Sequence, residues 1–271
     1  MGRAVVRSPF DGMRRNTVLP RPLTATIAAA LACVGAMPLV AQEADEVSRV
    51  ALVAEEDTVR VGQTVLLGLH FELDEGWHIY WDGFNDTGFA PVVEWSLPDG
   101  VSVGQMLWPA PKRYTSPGNI LDHVYEGRPT ILVPVTIAAS VAAGTKLEIR
   151  GEVEWLVCDD ICLPGFGPIS IDLRTSAGRN EESKKLNRSS HIGRAASRLP
   201  EPLLTMEQIE GLSMRWSEGV INVRVDDADS LTFFPSRDSV SLISVLGDAS
   251  SEGESMALRV ADADEFSGPQ G

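Results

Sequence analysis

Residues 146–157 decide the fold class, and their sequence is Lys-Leu-Glu-Ile-Arg-Gly-Glu-Val-Glu-Trp-Leu-Val. Apolar or small residues take every second position from Leu147 to Trp155, and charged residues take the positions between them from Glu148 to Glu154. A period of two places these two sets on opposite faces of a β-strand. The stretch therefore predicts a strand with one face in a core and the other in water.

On both sides of this strand, residues 47–175 contain further short runs rich in Val, Ile, Leu and Thr. Turn signals such as Pro98-Asp99-Gly100 separate them, and no long segment has the period of a helix. This spacing predicts an all-β fold, an immunoglobulin-like β-sandwich over 47–175. The predicted strands are Arg49–Ala54, Thr64–Glu72, Val92–Leu97, Gln105–Trp108, Thr130–Ile137, Lys146–Val157 and Ile169–Arg174.

The remaining C-terminal sequence divides into two parts. Residues 176–211 are rich in charged residues and predict a linker, in which Lys184 to Ala196 is compatible with a helix or with exposed chain. Residues 212–271 return to a β pattern but are short of the roughly 100 residues of such a sandwich. We therefore expect a second β unit that is incomplete, truncated or dependent on a borrowed surface. Its predicted strands are Met214–Trp216, Val220–Val225, Leu231–Phe234, Val240–Val245 and Met256–Val260.

The N-terminal residues 1–41 have the pattern of a secretory signal: a basic start, a short apolar core and small residues before an acidic run. We expect cleavage near Ala41 and export of the mature chain. The alternative is a lipoprotein anchored through Cys33, which follows Ala30-Leu31-Ala32. Beyond this segment no stretch is long and apolar enough to predict a transmembrane span.

Composition narrows the classes of function. The chain has 23 basic and 38 acidic residues, a net charge of −15 and a pI near 4.7. A nucleic-acid-binding protein normally carries a basic face, so no nucleic-acid partner is expected. With 44% hydrophobic and 23% charged residues, the composition is that of a globular protein.

The sharpest chemical signal is the pair Cys158 and Cys162, separated by Asp159-Asp160-Ile161. A disulfide requires Cα atoms within about 7 Å, so the chain must turn over the two acidic residues if the pair is to close. A bridge across so short a loop stabilises a fold by only about 2 kcal/mol. Reversible dithiol–disulfide chemistry is therefore favoured, while a structural bridge and a metal site stay open. The adjacent acidic residues oppose thiolate formation, so the pair is better suited to being attacked as a disulfide.

A second signal is the aromatic segment Gly76-Trp77-His78-Ile79-Tyr80-Trp81. It is compatible with core packing or with an aromatic rim around the cysteines. His78 and His123 are the candidate further ligands if the cysteines bind a metal such as copper.

The ordered set of motifs resembles the periplasmic N-terminal domain of thiol:disulfide interchange proteins of the DsbD type. The resemblance extends to the ScsB-like branch, which is linked to copper tolerance. It covers about residues 47–175. The motifs are Gly76–Trp81, Glu94–Gly100, Trp108–Pro111, Val133–Val135 and Trp155–Pro164.

This resemblance implies an immunoglobulin-like sandwich with Cys158 and Cys162 as the redox pair. It also implies a thioredoxin-like electron donor, itself fed across the membrane, and periplasmic disulfide-containing proteins as acceptors. Longer family members continue into an electron-transfer domain and a thioredoxin-like domain. We therefore expect this chain either to borrow its reductant from separate proteins, including a membrane electron-transfer protein, or to be a truncated remnant. No cofactor is required, and the activity is that of a protein-disulfide reductase component. The candidate supporting or shielding residues are Trp77, Tyr80, Tyr125, Trp155, Asp159, Asp160 and Pro164.

Family members shield the pair with an aromatic cap loop, which by order lies within Thr115–Tyr125. Residues 116–121 carry no aromatic residue here, so Ile120, Leu121 or Tyr125 are the candidates to replace it. Two other functions remain open at this stage. One is a non-catalytic envelope-binding module with a structural disulfide, and the other is a Cys/His metal-binding module.

Overall fold

A computed structural model of the chain describes residues 43–177, 187–201, 210–236 and 242–261. The predicted signal segment, including Cys33, lies outside them. The strands are β1 Ser48–Val53, β2 Thr58–Arg60, β3 Thr64–Leu73, β4 His78–Tyr80, β5 Val92–Ser96, β6 Val101–Val103, β7 Lys112–Ser116, β8 Ile120–Glu126, β9 Thr130–Ile137, β10 Lys146–Cys158, β11 Cys162–Ser176, β12 Leu212–Ser217, β13 Val220–Val225, β14 Ser230–Thr232, β15 Ser250–Glu252 and β16 Ser255–Arg259. The helices are α1 Ala44–Val47, α2 His191–Ala196 and α3 Val245–Asp248.

Two sheets form the N-terminal sandwich. The first has the order β1-β3-β9-β6, with antiparallel pairing throughout. The second has the order β2-β11-β10-β4-β8-β7, and β5 also pairs with β10. Its central hairpin is β10–β11, whose register runs from Lys146 opposite Arg174 to Cys158 opposite Cys162. The long hairpin therefore brings the two cysteines together at one end of the sheet.

The core lies between the two sheets and confirms the predicted β-sandwich. Along β10 the buried and exposed residues alternate as the sequence predicts, and the apolar set faces the core. Trp155 is among the largest fully buried side chains, and its indole packs edge-on against Phe71 of the first sheet. Its Nε1–H donates to Ser48 Oγ at 3.0 Å. The side chains of β10 that face the core thus hold the two sheets together.

Several predicted strand limits are wrong for reasons of pairing. Residues 105–108 form no strand, because only Leu107 makes an isolated bridge, to Leu132. Ile169–Arg174 is only the end of β11, a strand of 15 residues that begins at Cys162. Residues 164–168 contain two prolines and two glycines, yet they stay in the strand because β10 pairs with it from Cys162 to Arg174. Tertiary pairing overrides local propensity there.

Helix α2 lies within the predicted linker. Ser190 caps it, because its Oγ accepts a hydrogen bond from Gly193 N at 2.8 Å. Ile192 and Ala195 are buried in a cluster with Leu132 of β9. The helix is therefore packed against the first sheet rather than exposed.

The C-terminal β unit, defined here as residues 210–236 and 242–261, contains a sheet of order β12-β13-β16 and the pair β14–β15. The predicted strand Val240–Val245 is wrong where the structure describes it. Leu242 makes one bridge to Val260, and helix α3 begins at Val245 with Ser244 as its cap. Across the described ranges, no helix is long and apolar enough to cross a membrane.

Candidate thiol–disulfide site

The β10–β11 hairpin forms the site. Cys158 and Cys162 face each other across its last pair and form a disulfide, with Cα atoms 4.1 Å apart. The chain reverses over Asp159, Asp160 and Ile161, and Asp159 N–H donates to Ile161 O at 3.0 Å. The turn predicted from the two acidic residues is therefore the element that closes the pair.

The two cysteines differ in exposure. Cys158 is 2% exposed and belongs to a small cluster with Tyr80 and Val124 on the outer face of the second sheet. Cys162 is exposed, as are the three turn residues before it. A thiolate from another protein can therefore approach Cys162, while Cys158 is covered by its own sheet.

The aromatic side chain of Tyr80 contacts the disulfide. Its hydroxyl lies 3.9 Å from Cys162 Sγ and 3.3 Å from Thr87 Oγ1. Thr87 Oγ1–H donates to Asp122 Oδ2 at 2.6 Å, because a carboxylate oxygen accepts. The Tyr80 O–H is consequently left as a donor, to Thr87 Oγ1 or to Cys162 Sγ. Burial raises the pKa of Tyr80, which keeps this donor protonated.

His78 lies directly opposite Cys158 in the β4–β10 pairing. Burial lowers its pKa, while the charges of Asp122, Glu126 and Asp159 act in the opposite direction. Its Nδ1 is buried and has no hydrogen-bond partner among the described residues. A neutral imidazole beside the buried cysteine is the form that this environment favours. The sequence signal was the alternation His78, Tyr80 in the aromatic segment, which places both on the face of Cys158.

The other predicted aromatic residues lie elsewhere. Trp77, Tyr125 and Trp155 belong to the inter-sheet core, a different cluster from that of Cys158. Tyr125 O–H donates to Pro109 O at 2.5 Å, and burial raises its pKa. These three side chains support the strands that carry the site. A role for these three residues in supporting or shielding the disulfide stays a prediction.

The remaining predicted residues lie around the hairpin end. Asp159 and Asp160 are exposed in the turn, and Pro164 is exposed on β11 opposite Leu156. The predicted cap region 115–125 forms most of the β7–β8 hairpin. There Ile120 is half-buried and Leu121 is 1% exposed.

Sequence reasoning missed residues 82–91, which connect β4 to β5 and pass over Tyr80. A Cβ placed on Gly88 would lie 2.1 Å from Tyr80 Cζ, so the chain crosses the phenol ring where only glycine is accommodated. Thr87 N–H also donates to Asp122 Oδ1 at 3.0 Å. The run Asn85-Asp86-Thr87-Gly88 is typical of a turn, but nothing in it identifies the ring that it covers.

The candidate metal ligands are separated by the sheet. His78 shares the face of Cys158, but His123 donates from Nδ1 to Phe84 O at 2.6 Å and its ring contacts Trp81. In the described ranges, no group of three or more His, Cys, Asp or Glu residues is placed to hold a metal ion.

Comparison with known proteins gives the following matches. Residues 49–171 match the family described as thiol:disulfide interchange protein DsbD, N-terminal. The chain is similar to the N-terminal periplasmic domain of ScsB from Proteus mirabilis, with 14% identity, 82% of each chain covered and a TM-score of 0.48. The DsbD n-terminal domain of Neisseria meningitidis in the reduced form has 15% identity and a TM-score of 0.30, covering 50% of this chain and 89% of that one. No curated protein matches the chain in sequence.

Proposed function

Because residues 49–171 form a domain of the DsbD N-terminal family, we propose that this chain is an exported thiol–disulfide exchange module of the periplasm. It accepts electrons from a thioredoxin-like donor through Cys158 and Cys162 and passes them to periplasmic disulfide-containing proteins. The donor in turn receives its electrons from across the membrane. The observation that carries this proposal is a disulfide with one exposed and one buried cysteine at the end of a hairpin. Export rests on the signal pattern of residues 1–41.

The exposure of the cysteines assigns the order of the exchange. A donor thiolate attacks Cys162 Sγ, a bond forms between the two proteins, and the Cys158–Cys162 bond breaks. Cys158 leaves with the electron pair and takes up a proton. The second donor thiolate then attacks the donor sulfur of this mixed disulfide, and the bond to Cys162 Sγ breaks. Cys162 leaves with the electron pair and takes up a proton, so the donor becomes a disulfide and the module a dithiol. Reduction of an acceptor follows the same steps in reverse, with Cys162 attacking and Cys158 resolving.

The hairpin itself argues against a mainly structural bridge. Strand β10 has 13 residues, and every one of them is paired with β11. The ladder already holds the two cysteines opposite each other, so the bond closes almost no additional chain. A loop this short contributes about 2 kcal/mol in the loop-entropy model, before the ladder is considered. Little stability is therefore lost when the bond is reduced, as a working disulfide requires.

The decisive experiment is a redox titration of the mature protein in dithiothreitol buffers, with free thiols trapped and folding followed by tryptophan fluorescence. We expect a reversible two-electron transition above about −300 mV with the fold retained. A bridge that resists reduction until the protein unfolds would instead identify a structural disulfide in a binding module.

A pair of single variants tests the order of attack. Cys158→Ser leaves the exposed cysteine, so it should accumulate a mixed disulfide with a thioredoxin-like protein whose resolving cysteine is removed. Cys162→Ser leaves the buried cysteine and should accumulate far less. Each variant is the matched control of the other, since both retain one thiol and lose the bridge. Equal trapping by both would contradict the assignment of Cys162 as the attacked sulfur.

A further inference from the structure

The segment that crosses Tyr80 is attached to the molecule along its length. Residues 83–87 are called the strap here. Asp86 N–H donates to Leu121 O at 3.1 Å, and Leu121 N–H donates to Asp86 Oδ2 at 2.6 Å. His123 N–H donates to Asn85 Oδ1 at 2.7 Å. The strap therefore runs along β8 and ends at Thr87. The Thr87 hydroxyl lies 3.3 Å from the Tyr80 hydroxyl.

The other end of the strap is held by the C-terminal β unit. Phe84 N–H donates to Pro235 O at 3.0 Å. The neighbouring Phe234 ring packs edge-on against Trp81, with ring centroids 6.1 Å apart, and against His123 at 5.4 Å. Trp81 follows Tyr80 directly, and His123 binds Phe84 O. One aromatic side chain thus contacts both the strand end that carries Tyr80 and the residue that fixes the strap.

A second contact anchors the same unit. The Arg113 guanidinium on β7 donates to Val245 O at 3.2 Å and to Leu246 O at 2.9 Å. This contact lies on the strand paired with β8, where Arg113 is opposite His123. The two attachments hold the C-terminal β unit on the β7–β8 hairpin, beside the strap.

We propose that Phe234 and Pro235 are positioning residues for the exchange reaction: the C-terminal β unit holds the strap so that Thr87 keeps the Tyr80 hydroxyl directed at Cys162. The inference rests on the proposed function. When the disulfide is reduced, Cys162 Sγ becomes a candidate thiolate, and a phenolic O–H is a donor that stabilises it. Loss of the strap contacts leaves Tyr80 without Thr87 and makes that donor less well placed.

The test uses the reduced protein with Cys158→Ser, so that Cys162 is the reacting thiol. The rate of alkylation by iodoacetamide is measured against pH, which reports the thiolate fraction. Phe234→Ala should move the midpoint to higher pH and lower the rate at pH 7 by about threefold to tenfold, the range expected for one weakened hydrogen bond to a charged sulfur. Met214→Ala is the matched control, because Met214 is an exposed apolar residue of the same unit, and it should leave the profile unchanged.

Tyr80→Phe supplies the second arm of a double-mutant cycle. It should shift the profile in the same direction, and Phe234→Ala should add little in the Tyr80→Phe background, because both act through one hydroxyl. Additive shifts, or an unchanged profile for Phe234→Ala, would overturn the proposal. If Phe234→Ala unfolds the C-terminal β unit, Phe234→Leu keeps an apolar side chain while losing the ring contacts.

The two proposals fail separately. The alkylation profile needs no donor protein and measures only the coupling between Phe234, Tyr80 and Cys162. Trapping of the donor by Cys158→Ser measures the exchange function and can succeed when the coupling is absent.

Discussion

Lowering the pH from 8 to 5.5 should destabilise this protein because three of its histidines are buried. His70, His78 and His123 are 7%, 3% and 0% exposed. Burial is the largest influence on each and lowers each pKa below the ordinary value of about 6.5. In the described structure each also has one buried ring nitrogen without a hydrogen-bond partner. Protonation would leave an N–H there with no acceptor.

Neighbouring charges raise or lower the pKa values of these histidines, but their effect is smaller than that of burial. Asp122 and Asp86 raise the pKa of His123, as does its bond to Phe84 O, whereas Arg113 lowers it. His191 and Arg128 lower the pKa of His70 further, whereas Glu72 raises it. At His78, Asp122, Glu126 and Asp159 raise the pKa against the effect of burial.

The sign and size of the effect follow from proton linkage. A histidine with a depressed pKa in the folded state binds fewer protons than in the unfolded chain, so the free energy of unfolding rises with pH. Its contribution is fully present above about pH 6.5 and is lost as the pH falls through and below that value. At pH 5.5 each histidine that stays neutral in the fold loses up to about 1.4 kcal/mol, or about 4 kcal/mol for three. That is a large part of a typical stability of about 5–15 kcal/mol.

The assay is urea unfolding of the oxidised protein at pH 8, 7, 6 and 5.5. His123→Asn retains an N–H donor near Phe84 O and removes one titrating group, so its loss of stability between pH 8 and 5.5 should be about one third smaller. The comparison at pH 8, where the three buried histidines are neutral, separates any packing cost of the substitution. A free energy of unfolding that does not change between pH 8 and 5.5 would refute the reasoning. NMR titrations that give pKa values at or above 6.5 for His70, His78 and His123 would also refute it.

Two substitutions test the packing that supports the site. Gly165→Ala should destabilise the fold by about 1–3 kcal/mol in urea unfolding, because the new Cβ would lie 2.2 Å from Trp155 Cε2, and Gly167→Ala is the control since it meets nothing within 4 Å. Equal stability of the two variants would contradict this account of Trp155. Tyr125→Phe should cost about 0.5–1.5 kcal/mol through loss of the bond to Pro109 O, with no change in the redox potential; a shifted potential would show that Tyr125 acts on the disulfide.

Local sequence patterns were sufficient to predict those elements whose formation depends on neighbouring residues. The alternation from Leu147 to Trp155 predicts a strand and its buried face because neighbouring side chains in a strand point in opposite directions. Val220–Val225 and Thr130–Ile137 were also predicted with their observed limits, from short runs of β-branched and apolar residues. The cysteine spacing predicted a turn over Asp159 and Asp160, because chain length alone forbids a bridge across extended backbone.

Local sequence patterns could not predict the short strands or the strap. Strand β4 has three residues, too few for a period, and it exists because β8 and β10 pair with it on either side. Helix α3 forms where the sequence predicted the end of a strand. Its cap depends on the exact position of the Ser244 side chain, and its contact with Arg113 joins residues that are distant in sequence. Such contacts leave no periodic signal along the chain.

The sequence by itself determined that this chain is an acidic β-sandwich protein with a closable cysteine pair, because alternation, composition and spacing are properties of neighbouring residues. Only the tertiary structure decided which cysteine is exposed, that Tyr80 rather than Trp77 or Tyr125 contacts the sulfur, and that Phe234 lies behind the strap. Burial and hydrogen bonding between residues far apart in sequence are set when the sheets pack, and only then do side chains more than a hundred residues apart meet.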